Sequence, residues 1–409
     1  MNHEPEAAIQ DLGNLVSERA IRGETMLLNM GPQHPATHGV LRLLLELDGE
    51  IVVNAIPDIG YLHTGIEKNM EAKTYQKAEV MTDRLDYLNP SGNNLAFSMA
   101  VEKLLDLDVP PRAQAIRVII AELTRINSHL LWLGTSGLDV GALTPFLYTM
   151  RERELLLDIF ELCSGARMMT TYIRPGGLWR DVPVEFEGAV REFLRIFPGK
   201  IDEYEALLTK NPIFLDRTRE IGVITTKQAI QYGITGPILR ATGLAYDLRK
   251  AQPYSGYEMY DFDIPIQESG DVYGRYLVRM AEMRQSLRIV EQALDKLPQG
   301  PVRSNNRKYV PPPRSELGVS MEALIHHFKL WTEGYHTPVG SVYQAVESPR
   351  GELGVFIESN GGPNPYRIHY RAPSFANLQI VPLLVKGHFV ADVVAILASV
   401  DFILGDSDR

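Results

Sequence analysis

The chain has 409 residues, 45% of them hydrophobic and 22% charged, with a formal charge of −10. That balance is ordinary for a soluble globular protein, and its acidity excludes nucleic acid as the main partner, because binding a phosphate backbone needs a basic face. The single cysteine, Cys163, excludes an internal disulfide and any four-thiolate zinc or iron–sulfur site held by this chain alone.

Residues 1 to about 25 are polar and read as an arm or a short strand; Glu4, Glu6 and Asp11 and the absence of an apolar stretch argue against a secretory leader. Gly31-Pro32-Gln33-His34-Pro35-Ala36-Thr37-His38-Gly39 is a loop or turn, with two prolines and two glycines in nine residues. Residues 40–56 read as two strands joined at Asp48-Gly49. From Gly65 onward the pattern becomes helical. Residues 93–107 place Leu95, Met99, Leu104 and Leu105 on the apolar positions. Pro110-Pro111 suits the first turn of a helix over residues 112–133, which Gly134 and Gly137 should end. Pro145 opens another helix that closes near Ser164-Gly165, and further helices are predicted over residues 185–208, 274–297 and 315–330. Tyr172-Ile173-Arg174-Pro175-Gly176-Gly177 predicts a tight turn, and Cys163 a buried small hydrophobe. Residues 251–270 and 300–313 read as long loops, and residues 352–370 as a strand pair turning at Asn360-Gly361-Gly362. The apolar stretch 393–400 lies between Asp392 and Asp401 and is far short of the ~20 residues a membrane span needs. The chain is therefore expected to be soluble or peripheral. The predicted class is α+β: an N-terminal sheet region with the histidine loop (1–64), a large helical bundle core (65–330), and a C-terminal region with a β-hairpin and a helix packed back on that core (331–409).

Several segments have a chemical reading beside a structural one. His34 and His38 have H-x3-H spacing, yet the prolines oppose the helix that would place both rings on one face. They are either capping or exposed turn residues or proton donors presented to a ligand. Met81-Thr82-Asp83-Arg84-Leu85-Asp86-Tyr87-Leu88-Asn89-Pro90 is either a helix end with an Arg–Asp pair or a phenol and a guanidinium held at a buried pocket. Asp139, in Thr135-Ser136-Gly137-Leu138-Asp139, either caps the next turn or orients a histidine and raises its pKa. No G-x-G-x-x-G, G-x4-G-K-[ST] or G-x-S-x-G motif occurs, so neither nucleotide binding nor a serine hydrolase is supported.

The ordered set Met30-Gly31-Pro32-Gln33-His34-Pro35-Ala36-Thr37-His38-Gly39, Gly60-Tyr61-Leu62-His63-Thr64-Gly65-Ile66-Glu67-Lys68, Asp83-Arg84-Leu85-Asp86-Tyr87, Arg174-Pro175-Gly176-Gly177, Pro253-Tyr254, Gly270-Asp271 and Asp401-Phe402-Ile403-Leu404-Gly405-Asp406-Ser407-Asp408-Arg409 resembles the D-type subunits of bacterial NADH-quinone oxidoreductases. That family is the hydrogenase-like component of respiratory complex I, and the resemblance covers nearly the whole chain. The related nickel–iron hydrogenases hold their metals with two Cys-x2-Cys pairs. Here Arg84 and Asp401 remain from the flanking motifs, while Asp86, Asn89, Ile403 and Asp406 stand at the thiolate positions. Without thiolates, soft-ligand nickel binding is lost.

The resemblance implies a quinone pocket beside an iron–sulfur cluster held by a partner. His38 and Tyr87 would donate protons to opposite carbonyls of the ring, Asp139 would support charged His38, His34 and Thr135 would help line the pocket, and Arg84 would lie close to the cluster. It also implies that this chain binds no cofactor or metal alone, with FMN and further iron–sulfur centres elsewhere in the complex. The implied partners are the cluster-bearing B-type subunit, the C-type and I-type subunits and the H-type membrane subunit, at the cytoplasmic face of the cell membrane. Met169 stands where many members carry a histidine, which removes a titratable group from that position. A ferredoxin-linked relative of the same complex, or a structural adaptor without redox chemistry, are the competing readings.

Overall fold

The computed structural model describes residues 23–409. The predicted N-terminal arm therefore lies almost wholly outside the described residues. Strands β1 (Met26–Met30), β2 (Arg42–Asp48) and β3 (Ile51–Asp58) form an antiparallel sheet in that order. The predicted hairpin is present with its turn one residue further on. Asp48 pairs with Ile51, so Gly49-Glu50 forms the two-residue loop, and Gly49 takes the positive φ of 63° that such a turn requires. Leu43, Leu45 and Leu47 alternate into the core.

A helical bundle follows. It starts with α1 (Ile66–Glu71), α2 (Tyr75–Thr82), α3 (Pro90–Leu105), α4 (Pro111–Asp139) and α5 (Leu143–Ser164). Proline occupies the first turn of both α3 and α4, where its missing N–H costs nothing. The predicted stop of α4 at Gly134 and Gly137 is overturned: the helix runs through both to Asp139. A Cβ on Gly134 would lie 2.5 Å from Thr149 Oγ1 and 3.2 Å from the Phe146 Cα of α5. These glycines admit a neighbouring helix; they do not cap their own. Cys163 is buried as expected, and burial pushes its thiol up to about 12.

The tight turn after residue 172 is a minimal hairpin of β4 (Ile173–Arg174) and β5 (Gly177–Leu178). Then come α6 (Glu185–Leu208), α7 (Val272–Asp295) and α8 (Met321–Thr332). Helix α8 starts six residues later than predicted, because Ser320 caps it by accepting from the Ala323 N–H at 3.2 Å. A strand absent from the prediction, β6 (Val339–Ser348), pairs with β7 (Gly351–Asn360), which pairs with β8 (Arg367–Arg371). The chain closes with α9 (Val390–Val400) and α10 (Leu404–Asp408). The structure is α+β, as predicted, and no helix among the described residues is long and apolar enough to cross a membrane.

Two apolar cores result. One joins α3 to α7 with the inner face of β6–β8, and the other joins the N-terminal sheet to α9, Phe402 and Leu404. A web of buried charges crosses the bundle. Arg240 bridges Glu282 (2.5 Å) and Glu347 (2.8 Å), His129 meets Glu282 (2.9 Å), and Arg249 joins Glu122 (3.0 Å) to Asp247 (2.6 Å). Every one of these ions has a partner, the condition under which buried charge is tolerated.

Candidate functional site

The segment between α2 and α3 is held from behind by two asparagines on α3. Asn93 Nδ2 donates to the carbonyls of Thr82 (3.0 Å) and Asp86 (2.9 Å), and Asn94 Nδ2 donates to Thr82 Oγ1 and Asp83 Oδ1, each at 2.8 Å. Asp86 in turn accepts from the Leu88 N–H at 3.1 Å. These bonds fix Asp86 inward and place Tyr87 half-buried beside it.

The C-terminal segment comes up against this one. A Cβ on Gly405 would fall 2.5 Å from the Leu85 carbonyl and 2.8 Å from that of Arg84, so glycine is needed for the two chains to approach. Asp401 ends α9 in the left-handed region at φ 54°, and His38 has φ 53° in the turn after Thr37. Such conformations cost non-glycine residues about 1–3 kcal/mol and cluster at functional sites. The His38 ring stacks on Phe402 with centroids 4.4 Å apart. The Asp408 carboxylate accepts from the backbone N–H groups of Gly60 (2.9 Å) and Leu62 (2.7 Å), tying the chain end to a third loop.

At the centre lies Arg350, which the sequence does not single out. Its Nη1 donates to Asp86 Oδ2 (2.7 Å) and Ser128 Oγ (3.0 Å), its Nη2 to Asp401 Oδ1 (3.0 Å), and its Nε to the Asp401 carbonyl (2.8 Å). Ser348 pairs with Gly351, so Arg350 occupies a two-residue hairpin turn, ordinarily an exposed place. Here the turn is buried against Thr235 and Gly236, which drives the guanidinium inward.

The electrostatics follow from this packing. Burial pushes the Asp86 carboxyl up, against the pull of Arg350. Burial, aided by the Asp86 charge, pushes Asp406 up to about 6. Tyr87 is raised by burial, with Arg350 opposing. His38 is lowered, first by desolvation and then by Arg350, while Asp401 acts the other way. His38 is nonetheless an exposed residue. Buried polar atoms at the site without a hydrogen-bond partner among the described residues include Asn89 Nδ2, Asn93 Oδ1, Asn94 Oδ1, Asp401 Oδ2 and Asp406 Oδ1. Asp86 and Asp406, with Asn89 and the buried Ile403 on the same two segments, thus come together where the two segments pack, and Arg350 pairs with Asp86.

A family model described as the 49 kDa subunit of respiratory-chain NADH dehydrogenase matches residues 139–409. The chain belongs to this family. It is 60% identical over 399 residues to the D 2 subunit of the NADH-quinone oxidoreductase of Chloroflexus aurantiacus, covering 96% of this chain and 97% of that protein. It is 61% identical over 399 residues to the D 1 subunit of the same enzyme in Roseiflexus castenholzii, covering 96% of each. With the D-type subunit of Thermus thermophilus it shares 55% over 391 residues, again 96% of each.

Among the residues that the family resemblance singles out, the structure brings His38 and Tyr87 under the same two charges, Arg350 and Asp401. Asp139, the last residue of α4, has no ion pair or hydrogen bond with His38; burial alone pushes it up to about 6. The acid acting on His38 is Asp401. Thr135 lies inside α4, where its hydroxyl donates to the Leu131 carbonyl at 3.0 Å. The predicted turn over residues 135–139 is therefore helix. His34 caps the single turn Pro35–Thr37 by accepting from the Ala36 N–H at 3.2 Å, and it lines a groove of about 750 Å³ between β1 and α9. Arg84 is exposed, with Nη1 donating to the Val80 carbonyl at 2.6 Å. Met169 is half-buried.

Proposed function

We propose that this chain forms the quinone-reduction site of a proton-translocating NADH:quinone oxidoreductase, as a peripheral subunit at the cytoplasmic face of the membrane. The observation that supports this reading is that His38 and Tyr87, from two separate segments, both feel the charges of Arg350 and Asp401, which belong to one buried Asp86–Arg350–Asp401 cluster that also has unpartnered polar atoms. Reducing a quinone to a quinol takes two electrons and two protons, and the protons go to oxygens on opposite sides of the ring. Two donors within hydrogen-bond reach are therefore needed. The Tyr87 hydroxyl, with no hydrogen-bond partner among the described residues, is free to meet one oxygen, and exposed His38 serves the other.

Burial and the Arg350 charge favour the neutral form of His38 at rest, and negative charge arriving on the quinone ring stabilises its imidazolium. Protons are then drawn in by the electrons, and Asp401 keeps the charged ring beside it. A partner's iron–sulfur cluster would supply the electrons, and exposed Arg84 would be the residue of this chain close to it; FMN and the other centres would lie upstream. The B-, C- and I-type subunits and the H-type membrane subunit are the partners that the family resemblance implies. In the assembled enzyme, Tyr87→Phe and His38→Ala should each strongly reduce quinone reduction and leave NADH oxidation by an artificial acceptor intact. Near-normal quinone turnover in both variants would sink the assignment.

A further inference from the structure

Away from that site, the β4–β5 hairpin, residues 301–317 and α8 enclose a cleft of about 400 Å³ walled by Pro175, Pro311 and Pro312. Arg174, Arg303 and Arg314 line it, and no acid does. Arg174 Nε donates to the Thr171 carbonyl (3.1 Å) and Arg303 Nε to the Leu178 carbonyl (3.0 Å), so both guanidiniums are fixed in place. Their terminal nitrogens have no hydrogen-bond partner among the described residues, and neither does Arg314. Burial and the adjacent Arg174 charge hold Arg303 below its usual value, the mark of unneutralised like charges. The acids behind the hairpin do not supply the missing charge. Glu102 is engaged by Arg117 at 2.5 Å, and Glu79 lies fully buried, its carboxyl pushed up by burial and drawn down by the Arg174 charge.

The rim continues as the outer face of α8. Trp331 lines the cleft, and Leu324, Ile325 and Phe328 beside it are exposed, Phe328 by 64%. Only Ala323 and Leu330 of this helix are buried. An apolar face next to recessed, unpaired arginines has a definite complement. We propose that the cleft and the outer face of α8 dock a neighbouring protein of the complex through an extended apolar segment that carries a carboxylate, which sits between Arg174 and Arg303. A bilayer is the poorer occupant, because exposed Glu322 and Glu333 flank the same apolar residues and would meet anionic headgroups. The inference rests on the chain's place in a multisubunit enzyme and not on the quinone assignment.

The test is made in the assembled enzyme with photoreactive benzoylphenylalanine in place of Phe328, the cross-linked peptide being read by mass spectrometry. The expected adduct is one segment of a neighbouring protein containing Asp, Glu or a C-terminal carboxylate. Arg174→Glu with Arg303→Glu should lower the cross-link yield about 30-fold, the usual effect of breaking a desolvated charge pair. Replacing the mapped acid by Lys should restore it. Arg303→Gln, which keeps the side chain's bulk, is read in the same way if the double reversal does not fold, and should lower the yield while leaving quinone turnover per assembled complex unchanged. A lipid adduct, no adduct, a segment without an acid, or a yield indifferent to these charges would each overturn the proposal.

Discussion

Replacing Arg350 by Met tests the charge architecture of the site. Arg350 is fully buried and meets Asp86 at 2.7 Å and Asp401 at 3.0 Å. With charge centres about 4 Å apart and an effective dielectric near 20, each attraction is worth ~4 kcal/mol. The substitution also relieves the desolvation of the guanidinium, several kcal/mol, so the net loss should be about 3–5 kcal/mol. Because Arg350 holds Asp86 and Tyr87 down and lowers His38, all three pKa values should rise. Urea denaturation of the purified chain reads the stability, and NMR titration reads His38. Adding Asp86→Asn and Asp401→Asn should recover most of the lost stability by removing the orphaned charges. A loss below about 1 kcal/mol, or a triple variant no better than the single one, would refute the reasoning.

Asp406 has a folded-state pKa of about 6 against an ordinary 3.8, so its contribution to stability is full below the unfolded value and lost as pH rises through the folded one. Asp406→Asn should therefore stabilise the chain at pH 8 by up to about 3 kcal/mol and show little gain near pH 4, as thermal unfolding at the two pH values would record. Gly134→Ala should cost about 1–3 kcal/mol through collision with Thr149 and Phe146, and Thr149→Ala should partly restore stability in the same melts. Glu282→Gln removes the acid shared by Arg240 and His129 and should cost about 3–5 kcal/mol by urea denaturation, far more than a surface substitution.

What is legible in the sequence is local. The hairpin at residues 48–51, the starts of the helices at Pro111 and near Pro145 and the turn at Gly176 depend on a few neighbouring residues, and each lies within a residue or two of its expected place. What is not legible depends on contacts distant in sequence. Gly134 looks like a helix stop until α5 is laid across it. Arg350, in a hairpin turn, looks exposed until Thr235 and Gly236 cover it. The resemblance singles out Asp401 as the residue left from a metal-binding motif, but nothing in its neighbours shows that its charge acts on His38. The convergence of Asp86, Asn89, Ile403 and Asp406, by contrast, is implied by the family resemblance, and the close approach of Gly405 to Leu85 accounts for it.

The central claim is that His38 and Tyr87 hold a quinone over the Arg350 cluster. The most direct measurement is a structure of the assembled enzyme with a bound quinone. One ring oxygen is expected within hydrogen-bond distance of the Tyr87 hydroxyl and the other within that distance of the His38 imidazole. A headgroup bound elsewhere, with both side chains facing solvent or protein alone, would contradict it.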